Sequence, residues 1–502
     1  MATNSSPSSI FLLLSTVLCL VLIFGCSEKA EAYRFEEMTA NLQQQSHVVS
    51  LSSLMPAEVC SSPAQGSKIL SSQLRVAHKD GPCSPLKKEG KAKIPNLHQI
   101  LIDDQARVKT IHSKISNKDL VDQDPVAPDE QQKKKRKARV ADSAAKLPIN
   151  SGQSLGTGNF VVTIGLGKPK QDFTVVFDTG SDLTWIQCQP CAGQCYSQQD
   201  PIFNPSASST YSNISCNSAT CAQLQSATGN IRPCSTTCIY QIVYGDNSYS
   251  VGYFATETLT LSSSDVFPKF EFGCGQNNQG LFGSADGLLG LGRDQISTVS
   301  QTSQKYGKRF SYCLPSTTSS TGFLAFGSQA GASSSAQYTP LLTDSNNPSF
   351  YFLTITGISV GGKSLSIAQS VFTTSGTIID SGTVITRLPP AAYSALRSAF
   401  RQAMSKYPSA SAYSILDTCY NLAGYSTISV PTIVLSFGGG TNLNVDQSGI
   451  LVQASSTQYC LAFAGNSAST DVAILGNKQQ QTFEVVYNVA GGKLGFGAQT
   501  CS

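Results

Sequence analysis

The sequence predicts an all-β body of two pseudo-two-fold related lobes with a few short helices, preceded by a partly disordered leader. Three observations predict it. Charged residues make up only 13% of the 502, while Gly, Ser and Thr abound, a composition unlike that of helix-rich proteins. Short β-branched and aromatic runs are punctuated by Gly and Pro, as strands are by turns. One local pattern also occurs twice, some two hundred residues apart: an apolar strand running into Asp, a hydroxyl residue, Gly and a second hydroxyl residue. A chain this long exceeds one ordinary compact domain.

The boundary between leader and body follows from charge. Residues 1–146 carry 20 Lys/Arg against 15 Asp/Glu, and residues 147–502 carry 15 against 16. The basic character therefore belongs to the leader alone. Residues 10–25 form a charge-free, mainly apolar run followed by small residues around Ala30 and Ala32, the pattern of a secretory signal peptide over 1–32. No Lys or Arg precedes that run, and the hydroxyl-rich opening MATNSSPSS is equally the mark of a plastid transit peptide. A run of sixteen residues is short for a membrane span, and no later segment is apolar for long enough.

Residues 33–146 read as a prosegment and lysine-rich leader. Leu97, Leu101, Val108, Ile111 and Ile115 recur at helical intervals, so this stretch is expected to dock on the body. Further on, an acidic Pro-containing linker runs into Lys133, Lys134, Lys135, Arg136, Lys137 and Arg139. Such a run is a solvated processing site or an arm for DNA, since clustered cations displace counterions from a phosphate backbone.

Twelve cysteines lie in the body: Cys188, Cys191, Cys195, Cys216, Cys221, Cys234, Cys238, Cys274, Cys313, Cys419, Cys460 and Cys501. Their even number and their density between 188 and 238 predict disulfides made in an oxidising compartment. Zinc is the rival for Cys188, Cys191 and Cys195, although all four histidines (His47, His78, His98 and His112) precede residue 147.

The chemistry lies in the repeated loop. FTVVFDTGSDLTW ends its strand in Asp178, Thr179, Gly180 and Ser181, with Trp185 beyond. GTIIDSGTVITRLP does the same with Asp380, Ser381, Gly382 and Thr383. One Asp-Thr-Gly is weak evidence, but two copies after buried-type strands are strong. Gly permits a tight loop and close approach of its partner. Thr179 and Ser381 can tie the loops together, while Ser181 and Thr383 can donate to the carboxylates. Two facing carboxylates cannot both ionise cheaply, so they share one proton over an acidic range. The ionised member can take a proton from a water while the protonated one polarises a carbonyl, with no metal, cofactor or covalent intermediate needed.

These motifs resemble the pepsin family over essentially all of 147–502. The resemblance implies a bilobal acid protease fold, with an N-terminal lobe over 147–342 and a C-terminal lobe over 343–502. It implies an aspartic endopeptidase acting on protein or peptide substrates, optimal in acid, made as a zymogen and monomeric. Tyr244 and Gly245 resemble the tip of the family's flap, and Trp185 stands where the family places the hydrogen-bond partner of that tyrosine. Asn247 replaces a glycine there and still tolerates a turn. ADGLLGLG at 285–292 and VAILGN at 472–477 resemble the strands threading beside each catalytic loop, and LPPAAYSALRSAFRQAM reads as a helix with Tyr393, Leu396, Phe400 and Met404 on one face.

The cysteine-rich insert at 188–238 resembles the plant nepenthesin-type branch. The basic leader makes the chain similar to the chloroplast nucleoid DNA-binding aspartic protease of tobacco, which implies a plastid destination and DNA contact through the leader. The glycosylation pattern Asn213-Ile214-Ser215 and the cysteines fit secretion instead. Two further readings stand beside the endopeptidase: a nucleoid protein with secondary proteolysis, and an inactive protease-like inhibitor.

Overall fold

The computed structural model describes residues 45–55, 59–61, 73–86, 97–116 and 160–499, apart from 230–231, 245–247, 281, 318 and 332–335. Its leader is more structured than the composition implies. It supplies strand β1 (Ser46–Ser50), strand β2 (Gln73–His78) and helix α1 (Leu97–Ile115). β1 pairs antiparallel with Thr427–Pro431 of the C-terminal lobe. β2 buries Leu74, Val76 and Ala77 and lies between Thr321–Phe326 and β3 (Phe160–Leu166), antiparallel to both. Along α1, Leu101, Val108 and Ile111 are buried, and Leu97 and Ile115 pack partly buried against the same clusters.

β4 (Gln171–Asp178) is buried over its last six residues. That continuous run of aromatic and β-branched side chains is what a strand covered on both faces requires. It pairs antiparallel with β3 and parallel with Gly287–Gly290, where Gly290 lies opposite Asp178. Gly287–Gly290 also pairs antiparallel with β5 (Trp185–Gln187), so the chain threads between the two strands that flank the first Asp loop. The second lobe repeats this arrangement. Thr377–Ile379 runs parallel to Ala473–Leu475, which is antiparallel to Thr386–Leu388. Phe483–Asn488 returns to pair with Arg309–Cys313, and Lys493–Gln499 pairs with Phe483–Asn488 and with Gln337–Pro340, so the sheet joining the lobes takes strands from both.

Helix α2 (Pro390–Ala403) starts on Pro at its first turn, where no backbone donor is lost. It buries Tyr393, Leu396 and Phe400, and Met404 follows fully buried at its end. No helix among the described residues is long and apolar enough to cross a membrane.

The body cysteines pair as Cys188–Cys274, Cys191–Cys195, Cys216–Cys234, Cys221–Cys238 and Cys419–Cys460. Cys313 is disulfide-bonded as well, and Cys501 lies outside the described residues. The zinc alternative falls here, because Cys188, Cys191 and Cys195 have no free thiolate to offer. A further bridge, Cys60–Cys83, lies in the leader. Asn213 is exposed, and its side-chain carbonyl accepts a hydrogen bond from the Tyr211 hydroxyl.

Candidate active site

Parallel pairing brings each Asp to the end of a buried strand. Leu291 N donates to Asp178 O, and Asp380 N donates to Leu475 O, so both loops are hung on the strand threading beside them. The two carboxyls are 1% and 0% exposed. Asp178 accepts from Gly180 N at 2.9 Å and Ser181 Oγ at 2.9 Å. Asp380 accepts from Gly382 N at 3.0 Å and Thr383 Oγ1 at 2.5 Å. All eight residues predicted from the paired loops therefore meet in one place. The glycines are there because of proximity: a Cβ on Gly180 would lie 2.7 Å from Asp380 Oδ1, and one on Gly382 2.6 Å from Asp178 Oδ1.

Over Asp178 sits the hairpin that carries Tyr244. Its hydroxyl accepts a hydrogen bond from Trp185 Nε1 at 2.9 Å, as the resemblance implies, and both rings pack on Phe282. Gly245 and Asn247 lie outside the described residues, as do Lys133, Lys134, Lys135, Arg136, Lys137 and Arg139.

The sequence reading missed what fills the cleft. Helix α1 lies across it, and Arg107 reaches both carboxyls. Its Nη1 and Nη2 donate to Asp178 at 3.0 and 2.7 Å, while Nε and Nη2 donate to Asp380, each at 2.9 Å. One turn earlier, Asp104 accepts from the backbone amides of Val384 and Ile385, at 2.5 and 3.3 Å, and from Arg387 Nη2 at 2.9 Å. Two turns beyond Arg107, Lys114 lines a pocket with Asp178, Gly180, Ser181, Tyr244 and Phe350. The signal was available: Leu101, Asp104, Val108 and Ile111 recur at intervals of three and four, and Arg107 lies within that stripe.

The cation reshapes the electrostatics of the pair. Burial raises the Asp178 carboxyl above the usual carboxylate range; Arg107 opposes this and Asp380 reinforces it. Burial acts the same way on Asp380, but the charge of Arg107 and hydrogen bonds from Arg107, Thr383 and Gly382 prevail and hold it low. Arg107 in turn loses from burial and gains more from the two carboxylates, so its guanidinium stays firmly charged. Lys114 is lowered, chiefly by burial, despite attraction from Asp182 and Asp178. Asp182 is pushed up to about 7, again by burial.

This arrangement, two lobes each giving one Asp-hydroxyl-Gly loop to a shared buried pair, defines the class of protein. The sequence matches the families described as xylanase inhibitor N-terminal over residues 160–328 and xylanase inhibitor C-terminal over 350–498. It is 50% identical to an aspartyl protease family protein of Arabidopsis thaliana, over 97% of this chain and 98% of that one. Aspartic proteinase nepenthesin-2 of Nepenthes gracilis is 40% identical over 71% of this chain and 82% of its own. The crystal structure of basic 7S globulin from soybean shares the fold at a TM-score of 0.54 and 21% identity, covering 69% of this chain and 94% of that chain. The chain belongs to the pepsin-like aspartic protease family, in its nepenthesin-type plant branch.

Proposed function

We propose that this chain is the leader-blocked form of an aspartic endopeptidase, with Asp178 and Asp380 as its catalytic dyad. The observation that carries the reading is the buried pair itself, bound by Arg107 as it would be by a zymogen's own inhibitor. With α1 withdrawn, a water held between the carboxyls gives a proton to the ionised member as it attacks the peptide carbonyl. The protonated member donates to the carbonyl oxygen, and a proton then passes to the leaving amine. The flap over Asp178 closes on an extended substrate and excludes bulk water. Activity belongs in acid, because the reaction needs one proton on the pair.

Relatives described as aspartyl proteases and aspartic proteinases support this reading over an inactive inhibitor, despite the inhibitor names of the two matched families. So does the complete set of groups around the dyad. The test is full-length chain brought to pH 3–5 with a denatured protein substrate. Asp178→Asn and Asp380→Asn should each lower cleavage by about 10²–10⁴-fold while circular dichroism stays native. Undiminished cleavage in either variant refutes the assignment.

DNA contact is a second reading, and it rests on the six cations between 133 and 139. Neutralising them should abolish retention on DNA and flatten its salt dependence, leaving proteolysis intact. As to destination, the disulfides favour a route through the secretory pathway, ending outside the cell or in the plastid. The N-terminal residue of the mature protein distinguishes a lost leader from a retained basic arm.

A further inference from the structure

The leader contributes a carboxylate to the cleft as well as a cation. Asp104 is 0% exposed, and its acceptors are met entirely from the C-terminal lobe: the Val384 and Ile385 amides and Arg387 Nη2. These donors follow directly on the catalytic loop that ends at Thr383. Arg387 lies on Thr386–Leu388 and is 1% exposed. Its Nη1 is fixed by Ile385 O at 2.7 Å, whereas the partners of Nη2 both belong to the leader: Asp104 at 2.9 Å and Gln105 Oε1 at 3.4 Å. Two amides and a pinned guanidinium converging on one carboxylate make a built anion site, and charge-assisted donors of this kind bind more strongly than neutral ones. A cavity of about 590 Å³ between α1 and the lobe opens beside Arg387, with Gln105 and His112 on one wall and Asp471 on the other.

We propose that this site is a specificity subsite: once the leader leaves, Arg387 and the Val384 and Ile385 amides select a peptide substrate with an acidic side chain. The proposal rests on the endopeptidase reading above. A guanidinium presents a planar fork of donors that matches a carboxylate. Leaving it unpaired beside the cleft is unfavourable, and an anionic substrate side chain restores what Asp104 supplied. Position follows from geometry. Asp104 precedes Arg107 by three residues, about 4.5 Å along the helix axis, and an extended chain advances about 3.3 Å per residue. The acidic side chain therefore falls within three residues of the scissile bond.

The rival for Arg387 is Asp471, which lines the same cavity but whose carboxylate already accepts from Ala468 N at 2.8 Å. The test uses full-length chain activated in acid and a fluorogenic peptide whose neutral form is cleaved; failure on that neutral peptide would fault the endopeptidase reading instead. Asp, Asn and cysteic acid are then placed in turn at each of the three positions on either side of the scissile bond, at pH 5. At one position, Asp and cysteic acid should raise kcat/KM about tenfold over Asn, mainly through KM. Arg387→Gln should bring that ratio to within twofold of unity, and Arg387→Lys should retain part of it. A ratio near one at every position in the wild type overturns the proposal, since Asp471 would then have closed the site. A ratio that survives Arg387→Gln overturns it equally.

Discussion

Thr179 and Ser381 hold the two Asp loops to each other by a reciprocal exchange. Thr179 N donates to Ser381 Oγ at 3.1 Å, and Ser381 N donates to Thr179 Oγ1 at 2.9 Å. Both residues are buried, so neither amide has water as a substitute acceptor. Ser381→Ala strands the Thr179 amide, at a cost of about 1–3 kcal/mol. The loss falls on the element that sets the spacing of the two carboxyls, so kcat should drop more than KM rises. Chemical denaturation with steady-state kinetics on the same preparation measures both, and a variant unchanged in each would refute the coupling.

Arg107 is the leader's hold on the dyad, and its removal should unmask activity. Arg107→Gln leaves the helix stripe of Leu101, Val108 and Ile111 in place but leaves two buried carboxyls without their cation. Breaking one side of a buried pair typically costs about 3–5 kcal/mol, which here weakens docking of the leader. The full-length variant should therefore cleave peptide after a shorter lag on acidification than the wild type. An equal lag in the two chains would show that β1, β2 and the apolar face of α1 hold the leader without help from Arg107.

Acid should release the leader through Asp380 and His112, against an opposing contribution from Asp178, whose carboxyl burial raises in the docked chain. Arg107, Thr383 and Gly382 hold Asp380 below the usual range in the docked chain. A lowered carboxyl contributes docking stability above its free value, and that contribution disappears as pH falls through the docked value. His112 on α1 donates from Nε2 to Val472 O and faces Asp471 and Arg387. Burial is the main cause of its lowered value, Asp471 and Val472 oppose it, and Arg387 adds to it. The free imidazole takes up its proton near pH 6.5 and the docked one only lower, so docking weakens from about 6.5 downwards. His112→Gln removes this part alone and should move the release midpoint about 0.5–1 unit more acid. Intrinsic fluorescence against pH reads the midpoint in an Asp380→Asn background, chosen to suppress self-cleavage under the proposed function, compared with and without His112→Gln. A midpoint that does not move would exclude His112 from the transition.

What the sequence disclosed and what it hid divide by range. The Asp loops, Trp185 and the threading strands were legible because each is a short local pattern, and duplication made the pattern specific. Helix α1 was legible as periodicity over Leu97–Ile115. Its Arg107 was not singled out, because one cation on a charged helix reads as solvated face until the acid opposite is known. Strand β2 was missed for a related reason. Its partners, Thr321–Phe326 and β3, are assembled from distant parts of the chain, and QLRVAH alone carries no record of them. The Cys60–Cys83 bridge is similar, since connectivity does not follow from spacing.

Trp185 and Tyr244 make a pair whose energetics a double-mutant cycle can isolate. The indole N–H donates to the phenol oxygen at 2.9 Å, and Phe282 supports both rings at centroid distances of 4.9 and 5.6 Å. The indole is fully buried, so its N–H has no water to turn to when the phenol is removed. Tyr244→Phe should lower kcat/KM about tenfold, because the hairpin loses its side-chain bond to Trp185 on β5. Trp185→Phe loses the same bond and additionally leaves space beside Phe282, so it should also cost stability, by about 1–3 kcal/mol. If the shared bond carries the effect on kcat/KM, the double variant will be no worse than the poorer single, with a coupling energy of about 1 kcal/mol. Strict additivity in the cycle would mean that each ring acts on the cleft independently and that the bond is incidental.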